Sequence, residues 1–161
     1  MAKAMFGAGC FWGVESAFRQ VKGVTDVVVG YSGGAAEAPS YEEVCTGTTG
    51  HAEVVLVEFN EAKVGFDELL AVFFQIHDPT QVKRQGADIG TQYRSAVFVF
   101  DDDQAAAAER AKAAAANQIG WPVATEINTA GTFWRAEDYH QRYDEKRKAD
   151  ETDWRDHGGE G

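Results

Sequence analysis

The sequence predicts an α+β fold, a mixed central sheet with helices packed on it. Short β-rich apolar segments are interleaved with segments of helical periodicity, and the connections between them are uneven in length. The chain also has 161 residues, 44% of them hydrophobic and 12% aromatic, which suits one domain around one core. A single catalytic domain is expected over 1–149, followed by an acidic, glycine-rich tail over 150–161 that is expected to be partly disordered.

The elements follow in order. Lys3-Ala4-Met5-Phe6 is short and apolar enough for a strand. After it, Phe11, Val14, Ala17, Phe18 and Val21 recur at helical spacing. Val24 to Gly30 is β-rich and ends in the turn signal Gly30-Tyr31-Ser32-Gly33-Gly34. Tyr41 to Cys45 fits one helical turn. His51 to Phe59 is the clearest strand: Ala52, Val54, Leu56 and Glu58 point one way, and Glu53, Val55, Val57 and Phe59 the other. Phe66 to His77 repeats as a helix that Asp78-Pro79 stops. Gln81 to Arg94 reads as a polar loop, and Ser95 to Phe100 as a buried strand. Asp101 to Asp103 then cap an alanine-rich helix that runs to about Gln118 and is ended by Trp121-Pro122. A strand over Val123 to Ile127 and a charged helix from Glu137 to about Lys148 complete the prediction.

With 26 acidic and 15 basic residues the net charge is -11, and no Lys/Arg cluster is present to track phosphates. Nucleic acid and anionic membranes are therefore poor partners. No apolar run approaches the roughly 20 residues needed to span a bilayer. The apolar stretch from Ala4 to Val14 is broken by glycines and followed by Glu15 and Arg19, so it reads as mature protein rather than a signal peptide. Two cysteines, Cys10 and Cys45, make no disulfide framework and no CxxC pair, which fits a reducing cytoplasm.

Cys10 carries the chemical interest. It falls at a strand-to-helix junction, where unsatisfied N–H groups and the helix dipole stabilise a thiolate. Taken alone, it reads first as a small buried hydrophobe, the commoner place for a free cysteine. Its surroundings favour the reactive reading: glycines at 7, 9 and 13 allow close approach, and Phe11 and Trp12 follow directly.

Four stretches carry a resemblance: GCFWGVE at 9–15, GYSGG at 30–34, YEEVCTGTTGHAEVV at 41–55 and HDPTQVKRQGADIGTQYRS at 77–95. Together they resemble the A-type peptide methionine sulfoxide reductases, in order and to about residue 145. The resemblance implies a two-layer sandwich with a ferredoxin-like core. It implies that Cys10 attacks the sulfoxide sulfur and that Glu53 supplies the proton; Glu53 lies on an apolar strand face that would raise its pKa. It implies that Tyr41 and Tyr93 hold the sulfoxide oxygen, that Asp88 positions substrate or an ordered water, and that Phe11 and Trp12 form the pocket for the S-methyl group. Methionine and a Cys10 sulfenic acid would result, with the S epimer as substrate in oxidised proteins or as free methionine sulfoxide. No metal, flavin or nicotinamide is expected in that step.

Many members of that family carry recycling cysteines in a glycine-rich tail, whereas Gly158-Gly159-Glu160-Gly161 has none. The expectation is a monomer whose Cys10 is regenerated by an external thiol, either thioredoxin or glutathione with glutaredoxin, with Cys45 as the internal alternative resolver. Two other readings stay open from the residues. Cys10 with His51 or His77 and an acid would make a cysteine hydrolase, and a buried Cys10 would leave an acidic interaction domain. A metal held by Cys45 and His51 lacks further ligands at regular spacing.

Overall fold

The computed structural model describes residues 2–143. The chain forms β1 (Ala2–Ala8), α1 (Phe11–Arg19), β2 (Val24–Ser32), α2 (Tyr41–Cys45), β3 (Ala52–Phe59) and α3 (Phe66–Gln75). Two-residue strands β4 (Arg84–Gln85) and β5 (Asp88–Ile89) pair with each other and lead to a 3-10 turn, Thr91–Tyr93. Then come β6 (Ser95–Val99), α4 (Asp102–Ile119), β7 (Glu126–Thr129), β8 (Trp134–Arg135) and a second 3-10 turn, Asp138–His140. The main sheet has the order β7-β6-β1-β3-β2-β8. Among the described strands only the β6–β7 pair is parallel. The predicted α+β class is what the chain adopts.

Because β1 pairs antiparallel with both β3 and β6, and β3 with β2, α1 and α3 each connect strands that lie two apart. This is the split βαβ arrangement, and it gives the ferredoxin-like core its order β6-β1-β3-β2. Strand alternation sorts the residues as expected. Phe6, Val29, Val55, Val57, Phe59 and Val97 pack in the core shared with Phe18, Leu69, Leu70 and Phe73 of the helices. Met5, Ala52, Val54, Ala96 and Phe98 face the other way, under Ala130 and Phe133. Phe6 ties both helices to the sheet, with its ring 5.0 Å from that of Phe18 and 5.2 Å from that of Phe73.

The C-terminal ends of β1 and β2 and the N-terminal ends of β3 and β6 meet at one end of the sheet, where Ala8 lies opposite Ser95 and Tyr31 opposite Glu53. All the residues singled out from the sequence come from this end or from the loops above it.

Several boundaries differ from expectation. The loop from Gln81 contains the β4–β5 hairpin, and the strand expected from Val123 begins at Glu126. The alanine-rich helix ends on Gly120, whose left-handed φ of 74° closes an N–H bond to the Ala116 carbonyl, so Trp121-Pro122 follows the stop rather than making it. No α-helix starts at Glu137. Side chains hold that segment instead: Gln141 bonds to Val29 N–H and C=O, and the Arg142 N–H donates to both Glu15 oxygens at 2.8 and 3.0 Å, with Arg142 at φ 55°. The rest of the expected last helix, the boundary at 149 and the tail at 150–161 lie outside the described residues.

Candidate active site

Cys10 is the N-cap residue of α1 and is half-buried. Gly9 before it has φ 99°, and a Cβ there would stand 2.9 Å from the Gln85 side chain, so only glycine lets the hairpin close over this turn. The Cys10 side chain makes no capping bond to the helix. One of the amides freed at the helix start, Phe11 N–H, donates to Glu53 Oε1 at 3.2 Å instead.

Glu53 faces the helices from β3 and is 1% exposed. Its Oε2 is buried without a hydrogen-bond partner among the described residues. Burial, opposed by the Phe11 N–H and reinforced by the Asp88 charge, pushes its pKa up to about 8. At neutral pH it is therefore a carboxylic acid with one oxygen unengaged.

Two phenols share its surroundings. Tyr41 opens α2, and its ring lies 6.3 Å from Phe11 and 6.4 Å from Trp12. Burial, then its bond to the Cys45 sulfur and the charge of Glu53, hold its hydroxyl far above the usual tyrosine range. Tyr93 ends the 3-10 turn, and burial followed by the charges of Glu53, Cys45, Asp88 and Cys10 pushes it up to about 12. Both stay neutral donors. Asp88 is exposed on β5, yet its charge is felt by both Glu53 and Tyr93.

Phe11 is buried, while Trp12 keeps part of its indole accessible. Trp12 Nε1–H donates to His140 Nδ1 at 3.0 Å, and its ring stacks on Tyr143 at 4.0 Å. Cys45, the last residue of α2, is exposed and in no disulfide. Partial shielding of its sulfur raises its thiol pKa, with the Tyr41 hydroxyl pulling the other way and the charges of Glu53 and Glu137 adding to the rise.

The structure adds residues that sequence reasoning passed over. Tyr31 sits opposite Glu53 and donates to Glu137 Oε1 at 3.1 Å; Glu137 Oε2 accepts the Tyr41 N–H at 3.2 Å. His140 fills the space between Tyr41 and Trp12, 4.3 and 5.6 Å from their rings. The cluster Glu137-Asp138-Tyr139-His140 was the available signal. Glu137 caps the 3-10 turn that His140 ends, and from there the Glu137 carboxylate reaches the Tyr41 N–H and the His140 ring the Trp12 indole.

The histidines of the hydrolase reading are engaged elsewhere. His51 Nδ1 accepts from Gly34 N–H at 3.0 Å and Nε2 donates to the Ala36 carbonyl at 2.6 Å. His77 Nδ1 donates to the Phe73 carbonyl at 2.6 Å, Nε2 takes the Ser95 hydroxyl at 2.7 Å, and burial lowers its pKa to about 4. Neither ring has a nitrogen left to serve as base for Cys10. Among the described residues no three His, Cys, Asp or Glu side chains gather as metal ligands, and no helix is long and apolar enough to cross a membrane.

A thiol at a helix start, a protonated acid and two neutral phenols can together attack an atom and donate to the oxygen it carries. The family described as peptide methionine sulfoxide reductase matches residues 2–157. The peptide methionine sulfoxide reductase MsrA of Acidobacterium capsulatum is 54% identical over 149 residues, 91% of this chain and 96% of that protein. The structure of Mxr1 from Saccharomyces cerevisiae in reduced form superposes with a TM-score of 0.86 at 37% identity, covering 90% of this chain and 84% of that one. A structure of Mxr1 in complex with Trx2 matches at a TM-score of 0.63 and 26% identity, covering 88% and 84% of the two chains.

Proposed function

The chain belongs to the peptide methionine sulfoxide reductase family, and from that premise we propose how its own residues divide the work. The protein reduces methionine S-sulfoxide to methionine, a repair reaction for oxidised proteins. In our reading the Cys10 thiolate attacks the sulfoxide sulfur while Glu53 delivers its proton to the oxygen, and Tyr41 and Tyr93 donate to that same oxygen. The S–O bond to methionine breaks and oxygen passes to Cys10 as a sulfenic acid. The cysteine sulfur is oxidised by two electrons and the sulfoxide sulfur reduced by two. Thiol and sulfoxide alone balance the step, so no metal, flavin or nicotinamide enters it.

The unpartnered Oε2 of a buried, protonated Glu53 is the observation that carries this reading. A sulfoxide is a weak electrophile until its oxygen is protonated or strongly hydrogen-bonded, and a buried acid beside the thiol supplies that need. Trp12, backed by Phe11, offers apolar surface for the S-methyl group, and Asp88 lies at the exposed rim, suited to the polar atoms of substrate or to a water.

Thioredoxin is the reductant that fits best, since Mxr1 forms a complex with Trx2. Glutathione with glutaredoxin is the second route, and both act on Cys10 directly, without an internal disulfide to Cys45. We place the protein in the cytoplasm as a monomer with one catalytic domain over 1–149, acting on peptide-bound and free methionine sulfoxide. Turnover of the two separated epimers with dithiothreitol tests the reading. The S epimer should be consumed and the R epimer left, and Cys10→Ser should abolish turnover; consumption of S by Cys10→Ser would reject it.

A further inference from the structure

Arg94 follows Tyr93 directly, and its guanidinium reaches three separate parts of the chain. Nη1 donates to the Thr91 carbonyl at 2.9 Å, Nη2 to the Gly50 carbonyl at 3.0 Å and Nε to Glu126 Oε1 at 3.3 Å. Thr91 opens the turn that ends in Tyr93. Gly50 lies three residues before Glu53, at the entrance to β3. Glu126 opens β7, which is fixed beside β6 through the Ala96–Glu126 pairing. The Arg94 side chain is 12% exposed, so this cation is largely withdrawn from water and committed to these bonds.

We propose that Arg94 is a positioning residue for the reaction: it fixes the turn of Tyr93 against the strand of Glu53, so that phenol and carboxyl converge on one substrate oxygen. The inference rests on the reading that Tyr93 binds that oxygen. A rigid, planar guanidinium with several donors suits such a span better than a flexible ammonium. The turn needs a tether, because it is only three residues long, with backbone bonds from Tyr93 N–H to Gly90 O and from Arg94 N–H to Thr91 O, and the glycine before it has φ 146°. The start of β6 has an anchor of its own. Ser95 bonds to His77 and to Thr125, each at 2.7 Å, so removing the Arg94 bonds loosens the turn without undoing the strand.

A misplacement of about 1 Å at a reacting group can cost on the order of 10²-fold in rate. Arg94→Gln, Arg94→Lys and Glu126→Gln are therefore measured alone and with Tyr93→Phe. The readouts are the maximal single-turnover rate of methionine formation, the substrate concentration for half-maximal rate, and the melting temperature. Arg94→Gln should lower the maximal rate about tenfold or more and Arg94→Lys should recover part of it. In the Tyr93→Phe background Arg94→Gln should cost less than about twofold, because the group being positioned is already gone. An equal loss in both backgrounds, or no loss in either, overturns the inference while leaving the role of Tyr93 intact. An unchanged maximal rate for Tyr93→Phe alone overturns that role and the inference with it. Should Arg94→Gln fail to fold, Glu126→Gln decides. A loss of about threefold that vanishes with Tyr93→Phe supports the tether, and a loss that persists there rejects it.

Discussion

The Phe11 N–H holds one oxygen of Glu53 at 3.2 Å and leaves the other buried and unpaired, so the turn that presents Cys10 also orients the acid. Glu53→Gln keeps the acceptor for Phe11 and removes the proton. The single-turnover rate should fall by about 10²- to 10⁴-fold with substrate affinity little changed. In the unsubstituted protein the rate should also fall as pH rises through about 8, where Glu53 ionises, and Glu53→Gln should lack that limb. A retained limb would assign it to another group.

The same shift sets a stability window. Glu53 is raised from its ordinary 4.5 to about 8, so between these values the folded chain holds more protons than the unfolded one and stability falls as pH rises. By pH 7 the cost is on the order of 3 kcal/mol. Denaturant melts should show Glu53→Gln gaining on the unsubstituted protein as pH goes from 4.5 to 8. Parallel curves would mean that Glu53 ionises normally.

Tyr41→Phe and Tyr93→Phe each remove a neutral donor and keep the ring. Each should slow oxygen transfer by about 10²-fold without a comparable loss of affinity. If both donors serve one oxygen, as proposed, the pair together should lose less than the product of the two. Full additivity in single-turnover rates would separate their targets.

How far the site was legible depends on the range of each contact. Cys10 at a helix start and Glu53 on the apolar face of β3 follow from local periodicity, and both are where the pattern put them. Glu137 and His140 were not legible, because they act on Tyr41 and Trp12 from 96 and 128 residues away. Over Glu137–Arg142 their segment also lacks the α-helical turns that its charge pattern suggested. The Gln141 side chain ties the segment to Val29, and the Glu15 carboxylate takes the Arg142 N–H, bonds that local propensity cannot register.

His77 predicts a pH effect of opposite sign. Burial lowers its pKa from 6.5 to about 4, so between these values the unfolded chain binds the extra proton and stability falls as pH drops. The loss should reach about 3 kcal/mol by pH 4. His77→Gln should be less stable at pH 7, having lost its bonds to Phe73 and Ser95, but should flatten the dependence below pH 6.5. An undiminished slope in that variant would place the titration elsewhere.

Regeneration of Cys10 gives the last prediction. Cys45 is exposed, but partial burial raises its thiol pKa, so at pH 7 it is the neutral thiol and a poor attacker on a sulfenic acid. After one equivalent of substrate without reductant, the intact mass should gain about 16 Da and dimedone should trap the sulfenic acid at Cys10. Thioredoxin should then restore the thiol, in Cys45→Ser as in the unsubstituted chain. A loss of about 2 Da, the mark of a Cys10–Cys45 disulfide, together with failed turnover by Cys45→Ser would make Cys45 the resolving residue instead.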